Sequence, residues 1–356
     1  MNRLRSYIAF AVLRGVGAAL LVLLAINVVV EFVSQLDDVG LAQYGLSQAL
    51  TYVALRIPRT IVETLPAAAL LGSLLSLGNM AVHRELVVMR ASGVSHFQLL
   101  GAVGAAGLTL MVVMLLLGES LAPSLGAYAR ELRTEALLDE VNLASGQSAC
   151  LKNGDRIINL RQPSARIDFD GGLFVFELDG DTALRQVARA DSIGIEAPDQ
   201  WVLRDYAETS FSATGTEARR EASVRRDYRL NPDLIGLSTV REDLLDTPAL
   251  TRYIDYLRAN NLDASRYLGA YWSRISNMVS VVFMTMLALP FVFGSLRSAG
   301  TGARLIVGLI IGLGYYVFVQ LSAETGAVFN LDPVVAAWAP SAILMLLTSV
   351  AVLRMR

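Results

Sequence analysis

The side chains that could carry out chemistry in this sequence are few and far apart. Lys152 is the only lysine and is followed by Asn153, whereas a phosphate-cradling loop needs a lysine followed by a hydroxyl residue. The chain therefore cannot close a nucleotide-binding loop of its own. Cys150 is the only cysteine, and His83 and His96 are the only histidines. The hydropathy pattern puts Cys150 across a membrane from both histidines. Neither a zinc cluster, a Cys-His nucleophile nor an intrachain disulfide can then assemble. No spacing of Asp and Glu favours carboxylate catalysis either. The sequence reads as non-enzymatic, with no catalytic residue, metal or cofactor.

What the chain offers is charge placed at bilayer edges. Arg59 and Glu63 lie one helical turn apart and can pair, and Arg130 and Arg133 follow just past Pro123. Such residues either snorkel at the interface or form a basic collar for anionic lipid head groups. At the other edge, residues 83–95 read as a short amphipathic helix with Gly93 as its C-cap. Glu85 and Met89 lie one turn apart there, with Arg90 beside them. This segment is either a solvated connector or a handle for a cytoplasmic partner.

These charges must be positioned by membrane helices. The 356 residues are 54% hydrophobic and 17% charged, too apolar for an ordinary soluble enzyme. Of the charged residues, 42 of 62 (30 + 32) fall between Leu121 and Ala270, so a hydrophilic middle separates two apolar thirds. Runs of roughly 20 apolar residues cross a bilayer. Ile8 to Val30, Thr64 to Val82, His96 to Leu117, Ile275 to Leu296, Leu305 to Ala323 and Val334 to Leu353 qualify. The first, preceded by Arg3 and Arg5, resembles a signal peptide but lacks a convincing cleavage site, and it reads as a retained span. Arg84, Arg90, Arg297, Arg304, Arg354 and Arg356 share the side of the termini, which the positive-inside rule makes cytoplasmic. The hydrophilic middle then lies outside the cytoplasm. The net charge of −2 argues against a nucleic-acid partner.

The middle reads as β. Leu173 to Leu178 ends at the turn dipeptide Asp179-Gly180, while Trp201, Leu203, Ala207, Thr209 and Phe211 alternate as one strand face, with Val187, Ile193 and Ile195 repeating the pattern. Short strands without intervening helices predict a sandwich or jellyroll. Residues 247–260 return to helical spacing. The expected organisation is three spans with the cytoplasmic helix in 1–129, a β-jellyroll with a helical return in 130–266, and three spans in 267–356. Two small-xxx-small pairs, Gly308 with Gly312 and Gly101 with Ala105, predict close helix packing. Pro58, Pro66 and Pro290 predict bends.

Three segments carry a resemblance. Phe32-Val33-Ser34-Gln35-Leu36, then Glu85 to Gly93 (ELVVMRASG), then Phe293-Gly294-Ser295-Leu296-Arg297-Ser298 closely resemble the LptF/LptG family, the permeases of the lipopolysaccharide-export ABC transporter. The last segment is more typical of the LptG branch, and the resemblance covers essentially the whole chain. It implies a heterodimer with an LptF-type permease, two copies of a cytoplasmic LptB-type ATPase and an LptC-type periplasmic jellyroll protein. The substrate would be lipopolysaccharide, taken from the outer leaflet of a Gram-negative inner membrane and passed to a periplasmic bridge. ATP would be hydrolysed in the separate ATPase subunit. Glu85, Met89 and Arg90 would couple to that ATPase, and Arg59, Arg130 and Arg133 would meet the head group. Spans one and five would form lateral gates, with Gly308 and Gly312 packing there.

One departure stands out. Relatives have lysines around the outer end of span one, where this chain has Glu31, Asp37 and Asp38. The expectation is that the three arginines hold the head group alone, with the acids turned to water or to the partner permease. Two rival readings are a permease that passes ATPase strokes to its external domain without carrying substrate, and a membrane-bound lipid-modifying enzyme. Copurification of an ATPase separates both permeases from the enzyme, and lipid trapped between spans one and five separates transporter from mechanotransmitter.

Overall fold

The computed structural model describes residues 2–141, 148–161, 168–169, 172–179, 183–197, 200–212, 215–227, 242, 245–294, 300–329 and 331–354. The chain divides into a helical unit, Met1–Asp139 with Ser265–Arg356, and a second unit, Glu140–Ala264.

Among the described residues of the helical unit, six helices are long and apolar enough to cross a membrane. They are built from α1 (Asn2–Leu36), α2 (Leu46–Val82), α4 (His96–Leu116) with its continuation, α7 (Ser265–Phe293), α8 (Thr301–Val328) and α9 (Pro333–Leu353). The short α3 (Glu85–Ala91) joins α2 to α4. The helices run well past the apolar windows, because hydropathy marks only the part that lies in lipid. Arg59 and Glu63 consequently sit inside α2 and not at its start. The third span does not stop near Pro123. One π-helical stretch, Leu117–Leu121, leads into α5 (Ala122–Val141). A π turn shifts the hydrogen-bond register by one residue, and the proline, which has no N–H to donate, stands just beyond it.

The core of this unit is apolar, with Val12, Leu65, Leu70, Leu74, Leu77, Val103 and Val281 among its fully buried residues. Glycine sets the tightest crossing: a methyl group on Gly15 would lie 2.5 Å from the carbonyl oxygen of Gly72, and one on Gly72 would overlap the backbone of Val16. Backbone therefore meets backbone where α1 crosses α2.

The second unit is an all-antiparallel curled sheet. Along the sheet the order is β1 (Ser148–Asn153), β2 (Arg156–Arg161), β4 (Leu173–Asp179), β5 (Ala183–Ala190), β7 (Gln200–Ser212), β6 (Ser192–Ala197) and β3 (Asp168–Phe169), with β8 (Gly215–Asp227) also on β7. Trp201, Leu203, Ile158, Leu160, Leu173 and Ile193 fill the interior. The expected single alternation along β7 fails at Asp205, which adopts φ 52. Trp201 and Leu203 point inward before it, and Tyr206 does so after it, because one left-handed residue reverses which side the next Cβ faces. On β5 the inward residues are likewise Ala188 and Ala190 rather than Val187. Gly180 lies outside the described residues. The return helix α6 (Thr247–Ala259) clasps β1: the Tyr256 hydroxyl accepts from the Lys152 N–H at 2.9 Å and donates to its carbonyl at 2.8 Å.

Candidate functional site

The helical unit carries functional candidates at both ends. At the end where α1 turns into α2, residues 37–45 form a compact turn. Gly40 (φ 99) and Ala42 (φ 47) reverse the chain, and the N–H of Gln43 donates to the carbonyl of Ala136 on α5 at 3.1 Å. Tyr44 is buried and its hydroxyl donates to Gln35 Oε1 at 3.2 Å. Burial raises the Tyr44 phenol above its ordinary pKa, against the pull of Arg133.

The turn sets Asp38 against α5, where its carboxylate meets Arg133 Nη2 at 2.5 Å. Glu31 on α1 forms an ion pair with Arg56 on α2. Both arginines flank the buried ring of Tyr52, each guanidinium carbon lying 5.7 Å from its centroid. Beneath this layer Tyr52, Val53 and Ala129 pack with Val28 and Phe32. Arg133 Nε is buried without a hydrogen-bond partner. Glu31 and Asp38 are thus paired with arginines of their own chain. Asp37 is exposed.

Of the three arginines expected to form a collar, Arg133 is in this cluster. Arg59 stands one turn beyond Arg56 and pairs with Glu63 at 2.7 Å. Arg130 stands one turn before Arg133 and donates to the Gly126 carbonyl at 3.2 Å. Arg56 was missed in the sequence, although its i, i+3 spacing to Arg59 on a helix was visible. What was not visible was the α1–α2 register that puts Glu31 opposite.

At the other end, α3 is held by apolar contact. Leu86 is 1% exposed, and Met89 packs against the core from its edge, so Met89 faces inward while Val87 and Val88 face outward. Glu85 Oε2 accepts a hydrogen bond from the Tyr7 hydroxyl of α1 at 3.0 Å. Arg90 lies over the Phe293 ring at 5.7 Å, and His96 meets the same ring edge-on. Gly93 ends the helix at φ 91, with the Val94 N–H reaching back to the Met89 carbonyl at 3.2 Å, as expected for a glycine C-cap. Ser95 and Gln98 then form a capping box that opens α4. A cleft of ≈ 400 Å³ lies behind, lined by Arg90, Val94, His96, Leu100, Leu289 and Leu353 among others.

Gly308 and Gly312 pack α8 onto α2 of the same chain. A methyl group on Gly308 would lie 2.8 Å from Leu71 and one on Gly312 3.3 Å from the Ala67 side chain. The opposite face of α8, with Ile306, Leu309, Ile310 and Leu313, is exposed, as are Leu21, Val22, Ile26 and Val29 of α1. Gly101 has open space around it, and α4 meets α7 through Gly104 and Gly107 instead. Among the described residues no group of His, Cys, Asp and Glu could hold a metal ion.

The chain matches the family model described as lipopolysaccharide export system permease LptF/LptG over residues 6–355. It is 31% identical over 342 residues to the lipopolysaccharide export system permease protein LptG of Haemophilus influenzae, covering 96% of this chain and 95% of that protein. It is 29% identical over 350 residues to the protein of the same name in Escherichia coli K12, covering 97% and 96%.

Proposed function

The chain belongs to the family of lipopolysaccharide export system permeases LptF/LptG, and from that premise we propose that it is the LptG-type permease subunit of an ABC transporter that lifts lipopolysaccharide from the outer leaflet of the inner membrane toward a periplasmic bridge. The observation that carries the reading is the extent of the likeness: the match over residues 6–355 takes in all six long helices, α3 and the β unit.

In this reading both termini and α3 are cytoplasmic and the β unit is a periplasmic jellyroll, as the arginines near the span ends favour. The permease is non-catalytic and pairs with an LptF-type permease on two LptB-type ATPases. Glu85 and Arg90, with the exposed Val87 and Val88, give the ATPase its grip, and Met89 with Leu86 ties that grip to the bundle. Gly308 and Gly312 seat α8 on α2, which leaves the other face of α8 and the outward face of α1 as gate surfaces toward the partner permease. Apolar side chains there suit acyl chains, while Arg133, Arg59 and Arg130 at the outer end suit phosphate through paired N–H donors. The jellyroll passes lipid on to an LptC-type protein.

The test is reconstitution of the chain with partner permease and ATPase in liposomes containing lipopolysaccharide. ATP should drive lipid release to an added periplasmic acceptor only when this chain is present. ATP hydrolysis without retained or released lipid would make it a mechanotransmitter instead.

A further inference from the structure

The outer cluster already contains anions. Glu31 occupies Arg56 and Asp38 occupies Arg133, and both guanidiniums lie 5.7 Å from the centroid of one ring, Tyr52. A guanidinium binds carboxylate and phosphate through the same N–H donors, so each carboxylate stands where a phosphate oxygen would stand. The pairs are open to exchange, since the four side chains are 26–37% exposed. The Arg133 fork is not fully satisfied by its acid. Asp38 reaches Nη2 of Arg133, while Nε of the same fork is buried without an acceptor. An anion with three oxygens that replaced Asp38 could meet both donors at once.

We propose that Glu31 and Asp38 are resident anions that a lipid phosphate must displace. Arg56 then joins Arg133 in holding the head group, and the two acids set how tightly it is held. The proposal rests on the lipid-export reading above and adds a residue and a control to it. Binding becomes an exchange of one anion for another instead of a capture by vacant cations. As the lipid moves on, the carboxylates return to their arginines, so release does not leave two bare charges at the membrane edge. A collar of this kind binds weakly and lets go readily, which is what a conduit requires.

The experiment uses the full complex with partner permease and ATPase in nanodiscs, titrated with fluorescent lipopolysaccharide. Glu31→Gln with Asp38→Asn should tighten binding about tenfold or more and slow ATP-driven release. Arg56→Gln should weaken binding, and adding Glu31→Gln to Arg56→Gln should give no further gain, the signature of a coupled pair. Lipopolysaccharide stripped of its lipid A phosphates should bind the parent and the doubly neutralised complex alike, a comparison that still decides the matter if Arg56→Gln fails to assemble. Neutralised acids that lower thermal stability without tightening binding would make the pairs structural and overturn the proposal. A gain that persists in Arg56→Gln would assign it to the general field of the protein and overturn it as well. If the parent complex retains lipopolysaccharide but the variants act additively, the exchange alone fails. If the parent retains none, the export reading fails with it.

Discussion

The two ends of the helical unit are fastened by opposite means. At α3 a buried leucine and a half-buried methionine hold a charged helix to the bundle, with one exposed hydrogen bond, Tyr7 to Glu85, at the rim. At the far end two ion pairs and a ring hold the turn after α1 against α2 and α5. Apolar anchoring has no alternative partner in water and makes a firm grip. Half-exposed ion pairs contribute only about 0–1 kcal/mol each and can exchange partners. In the proposed function the end that would transmit force is the apolar one, and the end that would handle a charged ligand is the ionic one.

The contrast can be broken by mutation. Leu86→Ala removes the anchor of α3 and should cost roughly 2–5 kcal/mol, read as loss of ATPase on copurification while lipopolysaccharide retention persists. If retention falls equally, the two ends are not independent. Arg133→Glu places a carboxylate against Asp38, and like charges at about 4 Å repel by up to about 4 kcal/mol at an effective dielectric of 20. Lipid retention should drop severely with ATPase copurification intact. Tyr7→Phe deletes the rim hydrogen bond, worth about 0.5–1.5 kcal/mol, and should lower coupled lipid release far less than Leu86→Ala lowers ATPase recovery. An equal loss would shift the anchor of α3 from Leu86 to Tyr7. Asp37→Asn, at an exposed acid beside the paired one, should change lipid binding and melting temperature within error, corresponding to about 0.5 kcal/mol or less. An effect as large as that of Asp38→Asn would mean that the turn as a whole, and not the Asp38 pair, matters.

Six spans, an inserted β unit and a short capped helix between spans two and three were legible because each is written in local periodicity: apolar runs of bilayer length, alternation, and a glycine after the last helical residue. What stayed illegible depends on which residues meet across elements. The acids at 31 and 38 are expected from the sequence to turn to water or to the partner permease, since nothing local discloses that Arg56 and Arg133 face them. Gly308 and Gly312 announced close packing without saying that α2 is the neighbour, and on α4 the pair at 101 and 105 drew attention from Gly104 and Gly107, which make the contact. Trp201 and Leu203 were correctly placed on one face, but the phase change at Asp205 is a single backbone angle that alternation cannot foresee.

The run of helix from His96 to Val141 has one more consequence. It passes through the π turn without a break, so its first residues adjoin the glycine that ends α3, and Arg133 rides near its last turns. At 1.5 Å per residue the span from His96 to Arg133 is a rod about 55 Å long. A tilt of roughly 5° about its middle would carry each end about 2 Å, comparable to the separation that defines the Asp38–Arg133 pair. In the proposed function the third span would therefore be a lever whose short strokes at the α3 end are of the right size to pick open an ion pair at the other.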